Sequence, residues 1–141
     1  MYKIDTQVIA QKIKQAIDKI SCEVEPSCAL ALKNAYEIEQ NQTAKFALKV
    51  MNDNIEVAIA EHRPVCQDTG MVVVFLEIGK DVILTGKLLQ DAIDDAVEEA
   101  YVTLRKSVLD PVTRINTKTN TPSVVHARFV EGRDVTVQVM L

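Results

Sequence analysis

Residues 63–76 read RPVCQDTGMVVVFL, and in this stretch the chain changes from helical to strand-like periodicity. The stretch places a thiol, an amide, a carboxylate and a hydroxyl on the successive residues Cys66 to Thr69, and Gly70 closes the group. A proline before the group and a glycine after it are typical of a shaped loop. Polar side chains this dense beside an apolar strand favour a binding function, because burying them without partners costs stability.

The residues before this loop predict three helices. Ile9, Ile13, Ala16, Ile17 and Ile20 recur at spacings of three and four, which indicates one buried stripe. A second helix begins with Pro26 in its first turn and runs to Ile38, and a third runs from near Thr43 to before Pro64. We therefore expect residues 1–62 to form the helical part of the chain.

The residues after the loop predict strands and one long helix. The apolar, β-branched run Met71–Leu76 is typical of a central strand, and Asp81–Leu84 of a shorter one. Residues 88–104 carry the strongest helical periodicity. Its outer face predicts a solvated surface, since it holds the acidic residues Asp91, Asp94, Asp95, Glu98 and Glu99.

The C-terminal region predicts two antiparallel strands, residues 124–130 and 135–141, joined around Gly132 and Arg133. A polar loop with two prolines, from Val108 to Pro122, precedes them. The predicted fold class is α+β: an N-terminal helical layer packed on a small, mainly antiparallel sheet, with one further long helix. We expect residues 1–141 to form a single domain, with a helical part at 1–62 and a strand–helix–strand part at 63–141.

Composition narrows the functional classes. The formal net charge of -4, the absence of tryptophan and the lack of a basic stripe argue against a nucleic-acid partner. The apolar runs are too short to span a bilayer, and the N-terminus lacks the apolar region of a signal peptide. Three cysteines, an odd number, fit a reducing compartment better than a disulfide framework. The sequence therefore predicts a cytoplasmic protein.

The thiol and the carboxylate of the loop each allow more than one interpretation. Cys66 is either a small buried apolar residue or, beside Gln67 and Asp68, a nucleophile or metal ligand. Cys22 and Cys28 are more typical of helix packing. The triplet Asp68-Thr69-Gly70 also occurs at the active site of aspartic proteases, where two copies share a proton, so a homodimeric protease is a weak alternative.

Arg105, at the end of the strongest predicted helix, also has two interpretations. A cation there compensates the helix C-terminus, or its planar guanidinium clamps a substrate carboxylate. In the second case the adjoining loop supplies hydrogen bonds to the substrate from Asn116, Thr117, Asn120 and Thr121. Arg114 is a second candidate for the same clamp.

Together these segments resemble the N-terminal part of the α subunit of the class I fumarate hydratase family, the iron–sulfur hydro-lyases that include L-tartrate dehydratases. The resemblance rests on 63–70, on 104–107 with 110–111, and on 114–117 leading to 120–122. It implies reversible dehydration of (S)-malate to fumarate, a step of the tricarboxylic acid cycle, with L(+)-tartrate as the alternative substrate. It also implies that Cys66 is one of three thiolate ligands of a [4Fe-4S] cluster. Residue by residue, Asp68 is implied as catalytic, and the substrate-binding residues are implied to be Gln67, Asp68, Arg105, Asn116 and Thr117.

The sequence departs from the family pattern at its C-terminal end. The glycine-rich segment and the other two cluster cysteines of the family are absent, and Cys22 and Cys28 do not match them. We therefore expect an N-terminal fragment that is inactive alone. Its expected partners are a dicarboxylate substrate, the remainder of the α subunit, a β subunit or C-terminal domain, and a second copy in a dimer. A non-catalytic assembly or regulatory module is the alternative from another functional class.

Overall fold

The computed structural model describes residues 2–67, 70–101 and 104–141, and within these ranges the chain forms four helices and five strands. The predicted α+β class is confirmed. In chain order the elements are β1 (Tyr2–Asp5), α1 (Thr6–Cys22), α2 (Pro26–Ile38), α3 (Gln42–Glu61), β2 (Val73–Gly79), β3 (Val82–Thr85), α4 (Leu89–Ala100), β4 (Val124–Val130) and β5 (Val135–Met140).

The chain divides into two compact units. The first comprises Met1–Asp18 with Asp68–Leu141, and the second comprises Lys19–Gln67. The predicted parts, 1–62 and 63–141, are divided where the chain changes from helix to strand. In the structure the first part of α1 belongs to the same unit as the strands. The single-domain expectation stays a prediction.

The first unit is built around β2. A three-stranded sheet has the order β4-β2-β5, with β2 parallel to β4 and antiparallel to β5. A separate two-stranded sheet pairs β1 with β3 in parallel. The apolar run that begins at Met71 therefore does supply a central strand, as predicted. The short strand β1 was missed.

The predicted pairing of the two C-terminal strands is wrong. β4 and β5 run in opposite directions, but β2 lies between them, so the sheet is mixed and not mainly antiparallel. The C-terminal end of β2 bonds to both ends of the turn that connects β4 to β5. The Gly79 N–H donates to the Asp134 carbonyl (2.8 Å), and the Lys80 N–H donates to the Val130 carbonyl (2.8 Å). A Cβ atom on Gly79 would lie 2.5 Å from the Gly132 carbonyl oxygen. The strands meet this closely only because residue 79 has no side chain.

Two helices of the first unit cover one face of the three-stranded sheet. α1 and α4 pack their apolar stripes against β2, as the spacing of three and four in each helix predicts. The buried cluster consists of Ile9, Ile13, Ile17, Val72, Val74, Leu76, Ile78, Ile93, Val97 and Tyr101. An ion pair of 2.7 Å between Lys14 and Glu99 joins the two helices at the surface.

The opposite face of this sheet is open. It forms a groove of about 570 Å³ whose lining includes Phe75, Glu77, His126 and Arg128. The rings of Phe75 and His126 stack with their centroids 5.1 Å apart, and Arg128 pairs with Glu77. The buried apolar residues of β2 point toward α1 and α4, whereas polar side chains lie on the open face. This alternation is expected of a sheet that is covered on one side.

The second unit contains the helical hairpin α2–α3. Pro26 occupies the first turn of α2, as predicted, and the Glu25 carboxylate accepts the N–H groups of Ser27 and Cys28. The Asn41 side chain accepts the N–H groups of Thr43 and Ala44, so α3 begins at Gln42. α3 ends at Glu61 because His62 adopts a left-handed conformation (φ 49°), two residues before Pro64. The predicted limits are thus confirmed to within about two residues.

None of the helices in the described part of the chain combines the length and apolarity that a bilayer crossing requires.

Candidate functional site

The Cys66 loop starts from a fixed backbone anchor in the second unit. The Val65 N–H donates to the Ser21 carbonyl (2.9 Å), and the Val65 carbonyl accepts from Asn54 Nδ2 (2.8 Å). The next two residues, Cys66 and Gln67, are both exposed. Asp68 and Thr69, which complete the motif, lie outside the described residues. The residue preceding the thiol is therefore held by both of its backbone polar groups, as expected of a shaped loop.

Arg105 lies in the first unit, exposed on a segment that follows α4. The long polar loop folds back onto this segment. Asn116 Nδ2 donates to the Lys106 carbonyl (2.8 Å), and the Thr117 N–H donates to the Val108 carbonyl (3.0 Å). The Thr117 hydroxyl also reaches the Val108 carbonyl, at 3.3 Å. The structure thus brings the segments of Arg105, Asn116 and Thr117 together, with both loop side chains bonded to backbone. Their binding of substrate stays a prediction.

Asn120 joins three segments of the first unit. Its Oδ1 accepts the N–H groups of Ser107 (2.9 Å) and Val108 (3.0 Å), and its Nδ2 donates to the Gly70 carbonyl (3.0 Å). The side chain is 0% exposed, and its backbone has a φ of 65°, a conformation that asparagine tolerates better than most residues. The expectation that Asn120 hydrogen-bonds substrate is therefore wrong. It instead ties the residue after the Cys66–Thr69 motif to the segment that carries Arg105.

Asn120 and its three hydrogen bonds form the first of two clamps on the polar loop. The second clamp consists of Asp94 and Gln90, which bond Ser123 to α4. Asp94 Oδ1 accepts the N–H (2.8 Å) and the hydroxyl (2.7 Å) of Ser123. Gln90 Nε2 donates both to Asp94 Oδ2 (3.1 Å) and to the Ser123 carbonyl (3.1 Å). The sequence predicts a solvated acidic face on α4. Asp94 departs from this prediction, because its carboxylate is bonded to Ser123. The sequence signal that marks it is weak, since its neighbours on the helix are acidic as well.

The polar loop also contains a turn at Asp110, which precedes both clamp residues in the chain. Asp110 Oδ1 accepts the Thr113 N–H (2.6 Å), the Thr113 hydroxyl (2.9 Å) and the Val112 N–H (2.9 Å). These bonds, first of all the one from the Thr113 N–H, lower the pKa of the Asp110 carboxyl because they favour its charged form. The Arg114 N–H returns to the Asp110 carbonyl (2.9 Å), with Arg114 at a φ of 61°. The turn thus shapes the approach to Ile115 and Asn116.

The described residues do not fit a complete iron–sulfur site. Across residues 2–67, 70–101 and 104–141, no group of three or more His, Cys, Asp or Glu side chains is placed to hold a metal. Cys22 is buried in α1 and Cys28 lies in the first turn of α2, whereas Cys66 is exposed in a loop. A cluster held by three thiolates would therefore need ligands in addition to Cys66.

Comparison with known proteins decides the family. The family model described as fumarate hydratase (fumerase) matches residues 10–141. The chain belongs to the fumarate hydratase family. The match includes the 63–70 motif, the Arg105 segment and the whole loop with both of its clamps. The resemblance drawn from the sequence motifs is thereby confirmed.

Curated relatives of the chain are subunits named for tartrate. A protein of Methanocaldococcus jannaschii, provisionally named L(+)-tartrate dehydratase subunit alpha, is 33% identical over 118 residues, which cover 78% of this chain and 41% of the relative. An Escherichia coli L(+)-tartrate dehydratase subunit alpha is 34% identical over 116 residues, covering 78% and 38%. The chain thus spans about two fifths of the length of these relatives. This family membership gives no support to the aspartic-protease alternative.

Proposed function

We propose that this chain forms the N-terminal, dicarboxylate-binding part of a hydro-lyase that reversibly dehydrates (S)-malate to fumarate. Membership of the fumarate hydratase family over residues 10–141 supports the reaction class. The observation that carries the site assignment is the buried Asn120 side chain, which bonds Gly70, two residues after Asp68, to the segment of Arg105. The residue that follows the motif and the segment of Arg105 are thus held together by one buried side chain.

The proposed role of Arg105 follows from the charge that develops during dehydration. As a proton leaves the carbon next to a carboxylate, negative charge grows on that carboxylate. A guanidinium that donates two parallel hydrogen bonds to it stabilises this charge and orients the reacting carbons. Arg105 is exposed on a segment to which Asn116 and Thr117 bond through the Lys106 and Val108 carbonyls. Asp68 is proposed to orient the substrate hydroxyl or to hold its proton.

Cys66 is proposed to supply one thiolate ligand of a [4Fe-4S] cluster. The remaining ligands would come from outside these 141 residues, in the remainder of the α subunit or in a β subunit or C-terminal domain. The relatives support such partners, because their names describe them as alpha subunits. We propose the cytoplasm as the site of action, since an odd set of three cysteines is more typical of a reducing compartment than of a disulfide framework.

L(+)-tartrate is the second candidate substrate. The names of the curated relatives favour it, whereas the sequence motifs led to malate. Both substrates present a carboxylate for Arg105 and a hydroxyl that leaves as water, so one assay with two substrates distinguishes them. A ratio of kcat/KM that favours L(+)-tartrate would overturn the malate assignment while keeping the reaction class.

The test uses this chain assembled with the rest of its enzyme under anaerobic conditions. Arg105→Lys keeps the charge but loses the two-bond fork, so kcat/KM should fall about 10- to 100-fold, the effect of one charge-assisted hydrogen bond. The matched control is Arg114→Lys, at the other candidate clamp, which should change kcat/KM less than about threefold. Equal losses in both variants would contradict the assignment of Arg105.

A parallel measurement separates the enzyme from a non-catalytic module. Cys66→Ala should abolish cluster absorbance and lower the iron content of the assembled protein, while Cys28→Ala should leave both unchanged. Unchanged iron and activity in Cys66→Ala would favour an assembly or regulatory module.

A further inference from the structure

Asn54 lies in the C-terminal half of α3 and bonds the loop that carries Cys66. Its Nδ2 donates to the Val65 carbonyl at 2.8 Å, across 11 residues of the chain. Asparagine is a poor choice for an exposed helix interior, because its side chain competes for nearby backbone groups. A second asparagine of α3, Asn52, bonds within its own helix, to the Leu48 carbonyl at 2.8 Å. The two amides therefore have different targets, and the loop is the target of Asn54.

The chain turns back along the helix after α3 and so reaches Val65. The Arg63 N–H donates to the Ala58 carbonyl (2.9 Å), which closes the end of the helix. Pro64 follows, and its ring fixes its φ. The Val65 N–H then donates to the Ser21 carbonyl (2.9 Å). Backbone bonds thus hold the chain as far as Val65, and a side-chain amide bonds the peptide group that comes next.

The bond from Asn54 restricts the orientation of Cys66. The Val65 carbonyl and the Cys66 N–H belong to one planar peptide group, so a bond to that carbonyl restricts the plane that contains the nitrogen and Cα of Cys66. The bond from the Val65 N–H restricts the preceding plane in the same way. Two successive peptide planes are therefore held, and the exposed residues Cys66 and Gln67 follow directly from them.

We propose that Asn54 is a positioning residue for Cys66 and Gln67. It acts through the peptide group that joins Val65 to Cys66, so its part in the reaction rests on the function proposed above for the motif. All of these residues belong to the unit Lys19–Gln67. The helical hairpin of that unit therefore has a role at the site, because it supplies the amide that holds the first half of the motif.

The first test uses the 141-residue chain and needs no reaction. Asn54→Ala removes the amide, so opening the backbone at Val65 breaks one bond instead of two. Hydrogen exchange of the Val65 N–H should accelerate about threefold to tenfold, the effect of one neutral hydrogen bond. Alkylation of Cys66 by N-ethylmaleimide at a fixed pH, measured relative to the exposed Cys28, should accelerate about threefold, because the released loop presents its thiol in more orientations. The urea midpoint should not fall, since alanine favours the helix more than asparagine does.

Asn52→Ala is the matched control for this test. It removes an amide from the same helix, two residues away, whose 2.8 Å bond goes to the Leu48 carbonyl. Exchange at Val65 and alkylation of Cys66 should therefore stay as in the wild type. Asn54→Gln keeps an amide donor on a longer stem and should recover part of both changes. Equal acceleration in Asn52→Ala and Asn54→Ala, or none in Asn54→Ala, overturns the proposal.

The second test uses the chain assembled with the rest of its enzyme under anaerobic conditions. Asn54→Ala should lower kcat/KM about threefold to tenfold on whichever of malate and L(+)-tartrate the enzyme dehydrates, because a small misplacement of the motif slows the reaction. Asn54→Gln should recover part of the loss, and Asn52→Ala should show none. A wild-type kcat/KM in Asn54→Ala overturns the positioning role even if exchange is faster. If the wild type dehydrates neither substrate, the proposed function fails, and the exchange and alkylation rates still decide whether Asn54 holds the loop.

Discussion

The buried Asn120 side chain gives the sharpest prediction on stability. In Asn120→Ala, the N–H groups of Ser107 and Val108 and the carbonyl of Gly70 lose their partner. A buried polar group left without a hydrogen bond costs about 1–3 kcal/mol. Val108 is 5% exposed and should lie near the upper value, whereas the groups at Ser107 and Gly70 are half-buried and can reach water. Alanine also tolerates a φ of 65° less well than asparagine, at about 1 kcal/mol.

These terms sum to a loss of about 4 kcal/mol in the free energy of unfolding, a large part of the stability of a small domain. The assay is urea denaturation at neutral pH, with amide hydrogen exchange of Val108 as a local readout. Asn120→Gly loses the same three bonds but tolerates a φ of 65°, so its loss should be about 1 kcal/mol smaller than that of Asn120→Ala. Asn116→Ala is the matched control, since it removes one bond to the Lys106 carbonyl and one from the exposed Lys118 N–H and should cost about 1–2 kcal/mol. If Asn120→Ala is no less stable than Asn116→Ala, the side chain does not hold these segments together.

Two further predictions concern the sheet and the loop. Gly79→Ala should destabilise the chain by about 2–3 kcal/mol, because the new Cβ would lie 2.5 Å from the Gly132 carbonyl oxygen. Gly132→Ala should cost about 1 kcal/mol, because the φ of residue 132 is 104° but the space around its Cβ is open. Thermal unfolding compares the two, and the reverse order would contradict the close approach. Asp110→Asn should be less stable than wild type near pH 7. The lowered pKa of the Asp110 carboxyl contributes stability that is fully present above the ordinary pKa of 3.8, and this stability is lost as the pH falls through the lowered pKa. The difference should therefore disappear in acid, and a constant difference from pH 7 to about pH 2 would contradict it.

The elements that follow from local pattern were predicted correctly. Spacings of three and four identified α1 and α4, and Pro26 located the start of α2. The apolar, β-branched run after Gly70 identified a central strand, although the helices cover only one of its two faces. β1 was missed because Tyr2–Asp5 is only four residues long and largely exposed, which leaves almost no alternation to detect.

Contacts between distant residues were beyond the sequence pattern. The turn around Gly132 correctly indicated that β4 and β5 run in opposite directions, but no local signal shows that β2 separates them. The roles of Asn120 and Asp94 were misjudged for the same reason. Their partners lie 50 and 29 residues away at Gly70 and Ser123, and an asparagine in a polar loop is otherwise typical of a binding residue. The family match extended across these segments, but Asp68 itself lies outside the described residues.

The two clamps set the limits of any exchange of the polar loop between relatives. A graft that replaces residues 108–119 and keeps Asn120, Ser123 and Asp94 retains the side-chain bonds of both clamps, whereas it replaces the bond from Asn116 to the Lys106 carbonyl. A graft that includes residue 120 must also carry an amide at that position, or the strand leading from Gly70 loses its connection to the Arg105 segment. Under the proposed substrate contacts of Asn116 and Thr117, a change of substrate preference belongs in the loop interior, with the loop ends kept as part of the scaffold.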